Sequence, residues 1–253
     1  MGAIKLGGRC FRLPAVLVGL MVLSCLTASW GTTTCYFRNV SPLPGGGGIA
    51  VTPDGEIDGS GACQINIPIA YTPKCGYVCA GGYVGGDGST NRDFDHFTGF
   101  LGGSVSNSPR LYLSVLEPTT QLDKIRFAAC GQLLLLSETS KQPAIAIGVQ
   151  DAFHTIDCEA SPYITATKRI SISDHKVYLT LGYGGRKFDN SAFYGISVPL
   201  SPNFNIAGGS DGGQWNGALI WRPGGVKGMI SFLGGYNGTA GWLGGVGITI
   251  HIK

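Results

Sequence analysis

The chain has 253 residues, of which 42 are Gly, 13% are charged and 10% aromatic; this excludes a charged, aromatic-poor disordered chain and fits a folded, glycine-rich β protein. Its 18 Lys and Arg stand against 15 Asp and Glu, and three of the basic residues (Lys5, Arg9, Arg12) fall in the first 31 positions, which hold no acidic residue. The remainder is therefore formally neutral, which excludes a nucleic-acid partner, whose phosphates demand a basic face.

Residues 1–31 read as an export signal. Lys5, Arg9 and Arg12 form a basic region, Leu13 to Leu26 an apolar one, and Thr27-Ala28-Ser29 and Ser29-Trp30-Gly31 offer small residues for cleavage. The apolar run is shorter than the roughly 20 residues that span a bilayer as a helix. A lipoprotein site at Cys25 is poorly matched, because Leu23 stands where a smaller residue belongs. No later apolar run is long enough for a transmembrane helix, so a membrane crossing would have to be a closed sheet, which leaves no backbone group unpaired in lipid. The expected location is the bacterial outer membrane.

Residues 32–61 are rich in Gly and Pro and show no clear alternation; they are expected to lie in the periplasm or inside the barrel as a plug. Beyond the signal the cysteines are Cys35, Cys63, Cys75, Cys79, Cys130 and Cys158, an even set that an oxidising compartment can pair, with the connectivity left open. Cys75-Gly-Tyr-Val-Cys79 lacks the second Cys or His pair that a structural zinc needs, so no metal and no cofactor is expected.

From residue 62 to 253 the pattern is that of strands. Ile65, Ile67, Ile69 and Tyr71 alternate with Gln64, Asn66, Pro68 and Ala70. The same alternation recurs over Ile145, Ile147 and Val149, over Val177, Leu179, Leu181 and Tyr183, and most sharply over Val246, Ile248, Ile250 and Ile252. A barrel wall would put these apolar residues in lipid and the residues between them in the lumen. Turn signals separate the candidates at Thr72-Pro73-Lys74, Asn107-Ser108-Pro109, Ser201-Pro202-Asn203, Asp211-Gly212-Gly213, Pro223-Gly224-Gly225 and Tyr236-Asn237-Gly238. The fold class predicted is all-β, an antiparallel up-and-down transmembrane β-barrel of about twelve strands, within roughly ten to fourteen, since barrels with both termini on one side have even counts. Its glycines are expected on a crowded inner face or beside aromatics. Asn216, Arg222, Thr249, His251 and Lys253 are the lumen-facing candidates, able to tune passage or hold a plug. Tyr183, Tyr194, Trp215, Trp221 and Trp242 lie near predicted strand ends, where aromatic girdles belong.

Several of these segments carry a resemblance. Pro143 to Asp151, Tyr163 to Arg169 and Leu181 to Gly184 look like successive strands of YjbH-like outer-membrane proteins of Gram-negative exopolysaccharide systems. Pro44 to Pro53 is similar to the Gly-rich, Thr-Pro opening of that group, and Asp211 to Arg222 resembles one of its hairpins. The resemblance implies an outer-membrane barrel that is a pore or an accessory component linked to surface-polysaccharide export. Its implied partners are outer-membrane lipid, the barrel-assembly machinery and polysaccharide-export components. It implies no catalytic residue.

Two other classes compete with this reading. A soluble secreted β-sandwich binding module would show the same alternation around a core between two sheets. An outer-membrane hydrolase would draw on His96, His154 or His175, which neighbour Asp95, Asp157 and Asp174, with Asp93-Phe-Asp95-His96 the most site-like. A serine nucleophile needs an oriented base, and no G-x-S-x-G elbow is present, Ser104 and Ser137 being ordinary strand serines. No enzyme is expected.

Overall fold

A computed structural model of the chain describes residues 42–252, apart from 87–95, 120–126, 156–158, 173–174, 226–228 and 239–240. Twelve strands follow one another in chain order: β1 (Tyr77–Gly86), β2 (His96–Asn107), β3 (Arg110–Thr119), β4 (Ala128–Leu136), β5 (Ala144–Gln150), β6 (Ser161–Ile172), β7 (His175–Gly184), β8 (Ala192–Pro199), β9 (Phe204–Ser210), β10 (Trp215–Trp221), β11 (Ile230–Asn237) and β12 (Gly241–His251). Each pairs antiparallel with its sequence neighbours, and β12 closes on β1 through a ladder from Tyr77↔His251 to Gly86↔Trp242. The architecture is the predicted closed up-and-down barrel. A single ring rules out two stacked sheets, and with them the sandwich.

Closure fixes the size. Following paired residues across the strands once around the ring returns to β1 displaced by about 14 residues, a stagger that for twelve strands corresponds to a tilt of ~40° and a radius of ~12 Å. A ring this wide must be filled or flooded.

Alternation sorts the side chains. On β12, Ile248 and Ile250 are 42% and 53% exposed, whereas Thr249 between them is buried. Leu179, Leu181 and Tyr183 of β7 likewise face out, with Thr180 buried between Leu179 and Leu181. Five of the six expected turns join consecutive strands. At Asp211-Gly212-Gly213 the Asp211 carboxylate accepts from the backbone N–H of Gln214 at 2.9 Å, and Gly212 takes φ +100°, a left-handed conformation that favours glycine.

The inner glycines answer to aromatic rings. Gly81 is paired with Phe100, Gly148 with Tyr163, Gly182 with Phe193 and Gly245 with Tyr83, and in each pair a Cβ on the glycine would run into the ring opposite. The ring covers the bare backbone and fills the space that a second side chain would need. Phe188 joins this packing, 4.5 Å from Phe193 between ring centres.

One expected strand is not in the wall. Gln64 to Tyr71 lies ahead of β1, and the wall begins at Tyr77 rather than at residue 62. Ile65, Ile67, Ile69 and Tyr71 are buried, and so are Gln64, Asn66 and Ala70 between them. Both faces of the segment are therefore covered, whereas a wall strand has one face turned outward. Pro68, which has no N–H for a ladder, is at home in such a segment and not in a central strand.

Candidate functional site

Residues 42–74 occupy the lumen, and the inner face is built around them. They form no sheet beyond two isolated bridges, Val51 to Ile57 and Val51 to Ala62, so their backbone groups need partners elsewhere. The wall supplies these from strand after strand. Gln132 of β4 donates its amide to the Ile69 carbonyl at 3.0 Å, Thr165 of β6 donates to the Pro68 carbonyl at 3.0 Å, and Thr167 accepts from the Ala70 N–H at 2.9 Å. Tyr178 of β7 donates to the Ser60 carbonyl at 2.7 Å, Ser197 of β8 accepts from the Cys63 N–H at 3.1 Å, and Asn205 of β9 donates to the Gly61 carbonyl at 3.2 Å. Ser231 of β11 donates to the Gly47 carbonyl at 3.0 Å. At the turn after β9, Asp211 accepts from the Asn66 amide at 2.6 Å.

Apolar contacts interleave with these bonds. Ile67 packs against Gly209 of β9, Gly48 against Ile220 of β10, and Gly47 against Tyr83 and Phe100 of β1 and β2. Inner glycines thus make room for the inserted chain as well as for the rings. The lumen is mostly neutral, lined by Ser, Thr, Asn and Gln, with Asp151, Lys187, Asp211 and Arg222 as its buried charged residues among those described.

At the rim holding the start of β1 and the end of β12, carboxylates take over: each accepts a tyrosine hydroxyl across the boundary between segment and wall and pairs with a lysine on its own side. Glu56 pairs with Lys74 at 2.6 Å and accepts from the Tyr77 hydroxyl at 2.7 Å. The Lys74 hydrogen bond, followed by that of Tyr77, holds the Glu56 carboxyl below its usual range. On the β4–β5 turn, Glu138 takes the Tyr71 hydroxyl and sits 3.4 Å from Lys168.

The predicted lumen residues separate into three groups. Arg222, just past β10, is 3% exposed and donates to the Gly48 carbonyl, so it holds the inserted segment. Asn216 and Thr249 are buried on the inner face, and both polar side-chain atoms of Asn216 lack a protein partner. His251 stands exposed at the rim, stacked 4.5 Å from Tyr77, because β12 ends there and the lumen wall with it. Lys253 lies outside the described residues. The residues that hold the segment along most of its length (Gln132, Thr165, Thr167, Ser197, Asn205, Ser231) were missed. The parity that placed Thr249 inside would have found Thr165, Thr167, Ser197, Asn205 and Ser231.

The five predicted girdle residues all face outward. Tyr183, Tyr194, Trp215 and Trp242 gather at the far end, joined by Tyr236, with Tyr194 against Trp215 and Tyr236 against Trp242, each at 5.6 Å. Trp221 lies at the opposite end, stacked 5.4 Å from Phe232. Between these two groups the outer face carries mostly Ile, Leu, Val, Ala and Gly.

Of the other candidates, Asp93 and Asp95 lie outside the described residues, as do Asp157 and Asp174. His175 begins β7, and His154 sits on the turn after β5, its ring accepting from the Ala160 N–H at 3.3 Å. Cys75 is disulfide-bonded, whereas Cys63, Cys79 and Cys130 are free thiols buried in the interior. Compared with known proteins, the chain matches no family model, no curated protein and no solved structure.

Proposed function

We propose that the chain is an outer-membrane β-barrel sealed by its own residues 42–74, working as an accessory component of surface-polysaccharide export rather than as an open pore. One observation carries the reading. The ring turns an apolar face outward, with aromatic side chains toward both ends, while hydrogen bonds from β4, β6, β7, β8, β9 and β11 hold a separate segment across the lumen. An exposed apolar wall that runs around a closed ring suits hydrocarbon rather than water. No helix among the described residues is long and apolar enough to cross a membrane, so the strands are the spanning elements of this reading. The link to polysaccharide rests on the resemblance of the strand segments and the Gly-rich opening.

The tests take the parts separately. The purified chain should require detergent, partition with outer membranes and migrate differently on a gel before and after heating; solubility in plain buffer removes the membrane assignment. In planar bilayers it should be electrically silent. The Cys63 sulfur lies 3.7 Å from the Ser197 hydroxyl, so oxidising the Ser197→Cys variant should lock the segment to β8 without changing that silence. Large steady conductance in the unmodified chain would show that the seal fails. Deleting the chain from its host should lower surface polysaccharide, and unchanged polysaccharide removes the export link.

A further inference from the structure

The outer wall is not uniformly convex. Near the far end β4 presents Ala129 and Gly131 outward, between Leu113 and Val115 of β3 on one side and Val149 of β5 on the other. A Cβ on Gly131 would meet Leu113 at 3.2 Å and otherwise only the Tyr112 carbonyl at 3.7 Å, so the floor of this notch is open. Its second bank is raised because the chain turns back after β5. The Ala152 N–H donates to the Ala129 carbonyl at 2.8 Å, and Ala152 and Ala160 pack on Val149, which is 5% exposed despite its outward parity. The result is an apolar cleft of ≈ 300 Å³. On the same outer face Leu101 and Val115 are 54% and 40% exposed, and Phe127 and Phe153 stand 59% and 60% exposed on the turns at that end.

We infer that this cleft is a binding site for one acyl chain of a membrane lipid. The inference rests on the membrane assignment above. The cleft opens sideways, onto the face that assignment places in hydrocarbon, so its occupant arrives from the bilayer. Its lining offers almost no polar partner, which suits a hydrocarbon tail and not a headgroup. Since an apolar cavity of about 150 Å³ holds a six-carbon ring, a cleft twice that size takes on the order of a dozen methylene carbons, a large part of one tail. Seating a tail there restores the dispersion contacts that Ala129 and Gly131 leave unmade on a wall otherwise ridged by Leu and Val. Gly234 of β11 differs: it has nothing within 4 Å of its Cβ position and faces another glycine, Gly244, across the ladder, so no bank of larger side chains rises beside it there.

The test reconstitutes the full chain in phosphatidylcholine vesicles containing a trace of phosphatidylcholine with a photoactivatable diazirine on one tail, and maps adducts by peptide mass spectrometry. Adducts should concentrate on residues 111–115 and 129–131. They should fall several-fold there in Gly131→Leu and in Ala129→Leu, which fill the notch, and stay unchanged in Gly234→Leu. Heat-shifted gel migration identifies the folded variants, and either notch variant alone suffices. Adducts spread evenly over the outer strands would overturn the site while leaving the barrel in the membrane. Labelling everywhere except the cleft would overturn it too, showing the cleft covered by a second copy of the chain. Absence of adducts from every outward-facing residue would instead sink the membrane assignment.

Discussion

Two stretches of this chain read alike in sequence and ended on opposite sides of the wall. Gln64 to Tyr71 alternates isoleucine with small or polar residues as regularly as Val246 to His251 does, yet the first is buried on both faces in the lumen and the second turns its isoleucines outward in β12. A period of two reports extended backbone with two unlike faces. It does not report whether a neighbouring strand or a neighbour's side chains satisfy the N–H and C=O groups between those faces.

The sharpest way to break that contrast is to place one charge in each stretch. Ile67→Arg, inside, should cost more than about 4 kcal/mol, since it buries a guanidinium at a fully covered position and would have to displace the packing on Gly209. Ile248→Arg, outside, should cost about 2–4 kcal/mol if the face meets lipid. Urea titration of the heat-shifted gel band measures both, and an Ile248→Arg variant as stable as the parent would mean that water, not hydrocarbon, lies outside. Glycines give the next test. Gly148→Ala drives a methyl group into the Tyr163 ring and should cost about 1–3 kcal/mol, whereas Gly234→Ala, with open space, should stay within about 0.5 kcal/mol. Equal costs would mean that inner glycines are not there for the rings. Thr165→Val keeps the shape but strips the Pro68 carbonyl of its donor, an expected loss of about 1–2 kcal/mol; faster hydrogen exchange across residues 64–72 should accompany it.

The smallest effect lies at the rim. Because the Glu56 carboxyl is held below its usual range, its bonds to Lys74 and Tyr77 contribute fully above the unfolded carboxylate value of about 4.3 and fade as pH falls through the lower folded value. The pair is half exposed, so the contribution is a few tenths of a kcal/mol. Hydrogen exchange at Thr52 to Asp58, corrected for intrinsic rates, should quicken below that range. Glu56→Gln should remove the dependence, and an identical profile in the variant would show that the Glu56 carboxyl is not what titrates.

Much of the wall was legible beforehand because two local signals agreed in it. Alternating residues between Pro-, Asn- or Gly-bearing turns gave the strands from Lys176 onward, and the even strand count followed from placing both termini on one side. The outward direction of Tyr183, Tyr194, Trp215, Trp221 and Trp242 was readable for the same reason, since they lie near strand ends on the outward parity. The lumen was less so. Thr249 and Asn216 were placed inside by parity, but what they would face depends on residues more than a hundred positions away, and no local pattern says that Ser197 will meet the Cys63 N–H. Pro68 was the local warning against a ladder strand, outweighed by four well-spaced apolar residues. At His251 the parity was right and the strand simply ended.

The inserted segment leads straight into β1 through Cys75 and Gly76, so it leaves the lumen beside the seam where the first strand meets the last. Zipping that seam and seating the segment are therefore coupled steps of biogenesis. A newly made chain that fails to tuck in its leading residues will also have an unfastened edge, offering β1 and β12 to whatever strand comes by.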